Sequence, residues 1–492
     1  MTDMWLAFDI GTTGTKAALI GPDGRTLRSA YRSHHTLSAE GGVVEQLAEH
    51  WWEAVLEAAQ ELNAAEAEAI ALTGQMQDLI LVNAQGEPTH PVVLYSDTRA
   101  RDEANEINAR IGADRLRQLT GNEQGASSLL AKLLWLSRHE PQALAHSAHL
   151  LVGAADFVAH KLTGIPVADT TTASTTGLLD INTRAWLGRD LLSTLGLEHI
   201  YPQLPPVRAG GSLVGTLRPE CAAQLGLREG IPVYHGPGDA GATTLGVGSG
   251  EPGNVYAYLG TSGWVAFTST RQADPATGVF TLAHPHPARY ITVAPLLTAG
   301  GNLDWVYELF GADDLTSLID EALSREPTSL IYLPYLNGER SPFSDPLARA
   351  AFIGLNARHS RADLCRAVLE GVIYAYRHAL ETLVEEPVAR LTLTGGGTRS
   401  SGWCQLFADV TLTSIAVAED AEHVGVRGAV LAAQVASARV ADYAPPGFFP
   451  VAASLQPGET QRAHYERQYG LFRAAYPALK PIFAGMQTAS HH

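Results

Sequence analysis

Two strand-like runs that each end in a small-residue turn, roughly 250 residues apart, constrain this chain more than any other feature. The first closes in Asp9-Ile10-Gly11-Thr12-Thr13-Gly14, the second in Leu259-Gly260-Thr261-Ser262-Gly263. Their surroundings are also alike. After the first come apolar runs at 17–20 and 27–31, joined by Pro22-Asp23-Gly24 as a hairpin turn. Leu47, Trp51, Val55, Ala58 and Leu62 then predict a helix over 46–62, and short strands are expected at 69–72, 79–82 and 92–95. The second half repeats the order: strands at 254–259, 264–268 and 290–293, helices over 303–310, 315–323 and 361–384, then a strand at 391–393. This predicts an α/β protein with a duplicated architecture, each half opening on hairpins. A single core stops growing at ~250–300 residues, so 492 residues divide into lobes 1–247 and 248–492. Residues 246–253 are rich in Gly and Pro and are expected to form a hinge.

Composition narrows the partners. Apolar residues make up 46% and charged residues 17%, ordinary for a globular protein. The net charge is −17, and the four lysines, Lys16, Lys132, Lys161 and Lys480, form no basic stripe, which argues against nucleic acid as a partner. No window is long and apolar enough to span a membrane, and the N-terminus lacks the basic region of a signal peptide. Cys221, Cys365 and Cys404 are far apart and in no metal spacing, as expected of buried thiols in a reducing compartment. A soluble, cytoplasmic protein is expected. The terminal His491-His492 pair is set aside.

Several motifs carry chemistry. In Asp9-x-Gly11-Thr12-Thr13-Gly14-Thr15-Lys16, small residues let backbone N–H groups approach a phosphate, and Lys16 meets its charge. Asp9, at the strand end, is placed to hold Mg²⁺ through water. No Walker loop is present. Gly260, Thr261 and Ser262 form a second phosphate loop, and a nucleoside triphosphate between two lobes needs donors from both. Asp239 sits in Gly236-Pro-Gly-Asp-Ala-Gly241 after a strand, as a base for phosphoryl transfer would; as a bland alternative it caps a helix. Gly395-Gly396-Gly397 between strand and helix permits close approach of a ring or ribose. Gln75-Met76-Gln77-Asp78 and Tyr95-Ser96-Asp97-Thr98-Arg99 offer groups that a polyhydroxylated substrate needs. Glu339-Arg340 reads as a structural ion pair near the cleft. Zinc, hydrolase-elbow and dinucleotide motifs are absent.

In this order the motifs resemble the FGGY carbohydrate kinases, most closely their xylulose-phosphorylating branch. The resemblance runs from Asp9 to about Gln434 and rests on DIGTTGTK, GQMQ, YSDTR, TGN with LLAKLLWL, GPGDAGATTLGVG, LGTSG, LPYLNGERSPFSDPLARAAFIGL, VLEGVIYA and GGGTRSSGWCQLFADVT. It implies two RNase H-like lobes of the sugar kinase, actin and Hsp70 ATPase superfamily, with ATP and sugar in the central cleft. It also implies Asp239 as catalytic base, Asp9 toward Mg²⁺, and Thr12, Thr13, Lys16, Gly260, Thr261 and Ser262 around the phosphates. Gly300, Gly396 and Gly397 would border the adenosine. Gln75, Met76, Gln77, Asp97, Arg99 and Asp239 would face the sugar. Three departures from the branch, Gln77, Ser96 and Ala240, all fall on the sugar side. The resemblance as a whole makes D-xylulose the leading acceptor, and these departures leave other ketoses and polyols open, as are a non-catalytic sensor and a homodimer.

Overall fold

The computed structural model describes residues 4–311, 314–384 and 388–488; His491-His492 lie outside them. Strand β1 (Trp5–Ile10) is buried on both faces, which its apolar run dictates. It pairs antiparallel with β2 (Gly14–Ile20), which pairs with β3 (Thr26–Ser33), and parallel with β4 (Ala69–Gly74). With β5 (Ser212–Thr216) and β6 (Pro232–His235) the sheet order is β5-β6-β4-β1-β2-β3.

The second sheet is built from β7 (Val255–Leu259), β8 (Gly263–Ser269), β9 (Phe280–Ala283), β10 (Tyr290–Leu296), β11 (Arg390–Thr394), β12 (Ser414–Ala418) and β13 (Val451–Leu455). Its order is β9-β10-β8-β7-β11-β12-β13. The run β3-β2-β1-β4-β6 and the run β10-β8-β7-β11-β12 share one plan: a three-stranded meander followed by two parallel strands. The fold is a duplicated, two-lobed α/β architecture.

Each sheet is covered on both faces. Helices α1 (Ala48–Leu62) and α2 (Ala154–Thr163) press Trp51, Val55 and Phe157 against Phe8, Ile10 and Leu72. Full burial of such side chains stabilises by ~1.5–3 kcal/mol each. Beyond α3 (Thr170–Ala173) and α4 (Asp239–Gly246), helix α5 (Arg361–Leu383) opens on a Ser360/Asp363 capping box and lies in the second core. Helix α6 (Val424–Ala436) comes from the second half yet covers the other face of the first sheet through Val426, Ala429, Val430 and Ala433.

Two features join the lobes. Helices α4 and α6 cross at bare backbone: a Cβ at Gly246 would lie 1.8 Å from the Val424 carbonyl oxygen, and one at Gly428 1.8 Å from that of Ala242. The free edge of β9 is satisfied by side chains from the first half. Asn122 exchanges two hydrogen bonds with the Thr281 backbone, Ser174 Oγ accepts from Ala283 N–H, and Thr171 donates to the Ala283 carbonyl. Within 246–253, Gly246 is thus clamped, while Gly248 and Gly253 occupy positive φ in turns.

One expectation is corrected. Glu339 and Arg340 do not pair with each other through their side chains: Glu339 Oε1 accepts the Leu297 and Arg340 N–H groups, and the Arg340 guanidinium lies 4.2 Å from the Phe280 ring centroid. The three cysteines are buried and free. Among the described residues no helix is long and apolar enough to cross a membrane.

Candidate active site

A cavity of about 1000 Å³ opens between the sheets, lined by Asp9, Thr13, Lys16, Asp239, Ser262 and Gly396, among others. A second, of about 750 Å³, is lined by Gly260, Thr261, Gly300, Gly396, Gly397 and Trp403. Tyr258 and Gly396 line both, so the two are halves of one cleft.

The carboxylate of Asp239 stands in the first half, at the start of α4. The N-cap of that helix is Gly238, and among the described residues Asp239 accepts only the adjacent Ala240 N–H, on Oδ1 at 2.6 Å. The helix-cap alternative therefore has little to act on. Glycine is required before it: a Cβ at Gly238 would lie 2.2 Å from Met76 Sδ and 2.5 Å from Thr172 Oγ1. Burial, and then the nearby charge of Asp9, push the Asp239 carboxyl up to about 7. Such a group is a poor permanent anion and a capable proton acceptor at neutral pH.

Asp9 and Lys16 face each other across the β1–β2 hairpin. Burial raises the Asp9 carboxyl, against the opposing charges of Lys16 and His423. Its Oδ2 would touch a Cβ at Gly425, 2.8 Å away, so only glycine at the start of α6 leaves the carboxylate its place. The hairpin turn is braced from behind by buried amides. Thr12 Oγ1 donates to Gln75 Oε1, Gln46 Nε2 donates to the Thr12 carbonyl, and Trp51 holds Gln46. The β7–β8 hairpin is held differently: Gly300 N–H donates to the Gly260 carbonyl, and Ala299 and Gly301 N–H donate to that of Thr261. A Cβ at Gly300 would lie 2.6 Å from the Gly260 oxygen, so this joint depends on glycine.

Met76 and Gln77 line the cleft beside Asp239. Gln77 adopts φ 66°, and its Nε2 donates to the Ser127 carbonyl. Three expected sugar contacts are not brought there. Gln75 is 1% exposed and committed to Thr12 and Gln46. Asp97 is fully buried, accepting the Val44 N–H and a paired Arg99, which also binds Glu45. The reason is long-range: Gln46, Val44 and Glu45 claim these groups, while Asp78 accepts the Tyr95 N–H and Tyr95 itself lines the cleft. Sequence reasoning passed over Tyr258 and Trp264, which stack at 3.9 Å and 5° on the cleft wall. Two aromatics bracketing Leu259–Gly263 were the available signal.

Two equivalent hairpins facing one cleft, with a carboxylate at a glycine bend, are the parts of a phosphotransferase on the two-lobed, actin-like ATPase fold. The chain belongs to the FGGY family of carbohydrate kinases: residues 4–246 match the family's N-terminal domain and 255–437 its C-terminal domain. It is an ATP-dependent sugar kinase. It is 30% identical to the xylulose kinase of Escherichia coli (strain K12), over 98% of this chain and 100% of that one. A crystal structure of a xyloylose kinase from Brucella ovis matches with a TM-score of 0.88 at 31% identity, covering 97% of this chain and 100% of that one. The crystal structure of gluconate kinase from Lactobacillus acidophilus matches at 0.90 and 25% identity, covering 99% and 100%.

Proposed function

We propose that the chain transfers the γ-phosphoryl group of Mg²⁺·ATP to a hydroxyl of a ketopentose, with D-xylulose giving D-xylulose 5-phosphate as the leading reaction. The observation that carries it is Asp239, a half-buried carboxylate lining the same cleft as both phosphate hairpins, whose one hydrogen bond among the described residues is local. The curated relatives named xylulose kinase supply the acceptor.

The residues divide the work. Thr13 and Lys16 on one hairpin, and Gly260, Thr261 and Ser262 on the other, hold the phosphates, with Thr12 contributing through its braced backbone. Gly300, Gly396 and Gly397 leave room for the nucleoside. Asp9 fits Mg²⁺: its hard oxygen donors suit that ion, and the described residues offer its carboxylate no hydrogen-bond donor. Bound there, the cation would neutralise phosphate charge. Met76, Gln77 and Tyr95 wall the acceptor. Asp239 orients the attacking hydroxyl and takes its proton as the P–O bond forms.

A second acceptor class has a specific observation behind it, the close structural match to a gluconate kinase. A coupled ADP-release assay over pentuloses, hexuloses, aldonates and polyols tests the choice. A ketopentose is expected to give the highest kcat/KM. Gluconate or glycerol ahead by ~10-fold, a difference of ~1.4 kcal/mol in transition-state stabilisation, would overturn the ketopentose and leave the kinase intact.

A further inference from the structure

One buried ion cluster stands behind the bend that presents Asp239. His235 ends β6 and is 2% exposed; Asp156 on α2 and Asp169 just ahead of α3 are 0% and 1% exposed. Ligand atoms of the three lie within 4.8 Å of one another. His235 Nδ1 is 2.6 Å from the Gly236 carbonyl oxygen and Nε2 is 2.7 Å from Asp156 Oδ1. A carbonyl only accepts, so Nδ1 donates its N–H to Gly236, and one proton is shared between Nε2 and Asp156 Oδ1, whose carboxyl is itself raised by burial. Burial alone would favour the neutral ring, but the hydrogen bond and charge of Asp156, with the charge of Asp169, push it up to about 9. Asp156 Oδ2 accepts the Val152 N–H, and Asp169 Oδ1 accepts those of Thr171 and Thr172. Asp169 Oδ2 is buried with no hydrogen-bond partner among the described residues.

The cluster grips the Gly236–Gly238 bend from two sides. From one, the His235 ring holds the Gly236 carbonyl, while Gly236 N–H donates to the Leu72 carbonyl and Thr73 Oγ1 donates to the Pro237 carbonyl. From the other, the turn capped by Asp169 sets Thr172 against Gly238, leaving no room for a Cβ. Three convergent ligand atoms also suggest a cation, but the 2.7 Å contact argues against it. Two atoms bound to one zinc at ~2.0–2.2 Å in tetrahedral geometry lie ~3.3 Å apart.

We propose that His235, bonded to Asp156 and beside Asp169, is a positioning residue for Asp239, fixing the bend so that the carboxylate meets the acceptor hydroxyl. This rests on Asp239 being the base. Misplacement of a reacting group by about 1 Å costs up to ~10²-fold.

The test is a double-mutant cycle between His235 and Asp239. His235→Phe is expected to lower kcat by ~10²-fold with the KM values for ATP and acceptor little changed, and His235→Gln, keeping one donor, to fall between. In the Asp239→Asn background, His235→Phe should cause no further loss. An equal loss in both backgrounds, or full kcat in the single variant, overturns the proposal. Should His235→Phe fail to fold, the same cycle is run with the isosteric Asp169→Asn. A stoichiometric transition metal in the purified protein, lost in Asp169→Asn, would also overturn it. If Asp239→Asn alone keeps native turnover, the base reading fails first, before any His235 variant is interpreted.

Discussion

Asp239→Asn is expected to lower turnover by at least ~10²-fold, within the ~10²–10⁴ that a general base contributes, or ~3–5 kcal/mol of barrier. The substitution keeps the side chain's shape and its hydrogen bond to the Ala240 N–H. It removes charge and basicity alone. Nucleotide affinity should hardly change, because the two hairpins and Lys16 bind ATP without help from this carboxylate, and the melting temperature should stay close to native. Phosphoryl transfer is mostly positioning and charge neutralisation, so the loss should appear in kcat with acceptor, not in KM for ATP. The pH profile supplies a second reading. Burial and the Asp9 charge push Asp239 up to about 7, and a base works when deprotonated. Activity should therefore fall as pH drops through about 7, seen in kcat/KM for the acceptor, and the Asn variant should lack that limb. Asn working nearly as well as Asp would remove Asp239 from the chemistry.

The duplication, both hairpin turns and the glycine bend before Asp239 were legible because they are local. Strand periodicity and Gly-Thr turns are written in a few consecutive residues, and β1, α1, β7 and α5 lie within a few residues of where spacing placed them. What was not legible depends on partners far along the chain. Gln75, Asp97 and Arg99 have the groups a sugar needs, yet Gln46, Val44 and Glu45 claim them first. Glu339 and Arg340 are adjacent and opposite in charge, but two backbone N–H groups and an aromatic ring compete successfully for them. Edge strand β9 carries no run long enough to announce itself, and its hydrogen bonds go to Asn122, Thr171 and Ser174. The closure of α6 over the first sheet joins residues more than 400 positions apart, as in the bond from Arg427 to the Gly24 carbonyl.

That long-range closure makes Gly428→Ala the most damaging small substitution expected away from the chemistry. A methyl there would stand 1.8 Å from the Ala242 carbonyl oxygen and 2.8 Å from the Gly246 nitrogen. Both are backbone atoms, so no rotamer relieves the clash. Helices α4 and α6 must separate, and overpacking of this kind costs ~1–3 kcal/mol or more. Helix α4 begins at Asp239, and the start of α6 abuts Asp9, so the separation shifts the acceptor and phosphate sides of the cleft relative to each other. A shift of about 1 Å between reacting groups costs up to ~10²-fold. Gly428→Ala should therefore lower both melting temperature and kcat. Gly470→Ala is the matched control: it also lies in a helix, with open space where the Cβ would stand. There the smaller entropy of the unfolded chain should stabilise by ~0.4–1 kcal/mol and leave turnover alone. Native melting and native turnover in Gly428→Ala would mean that the two helices do not cross at bare backbone, and that the lobes are joined some other way.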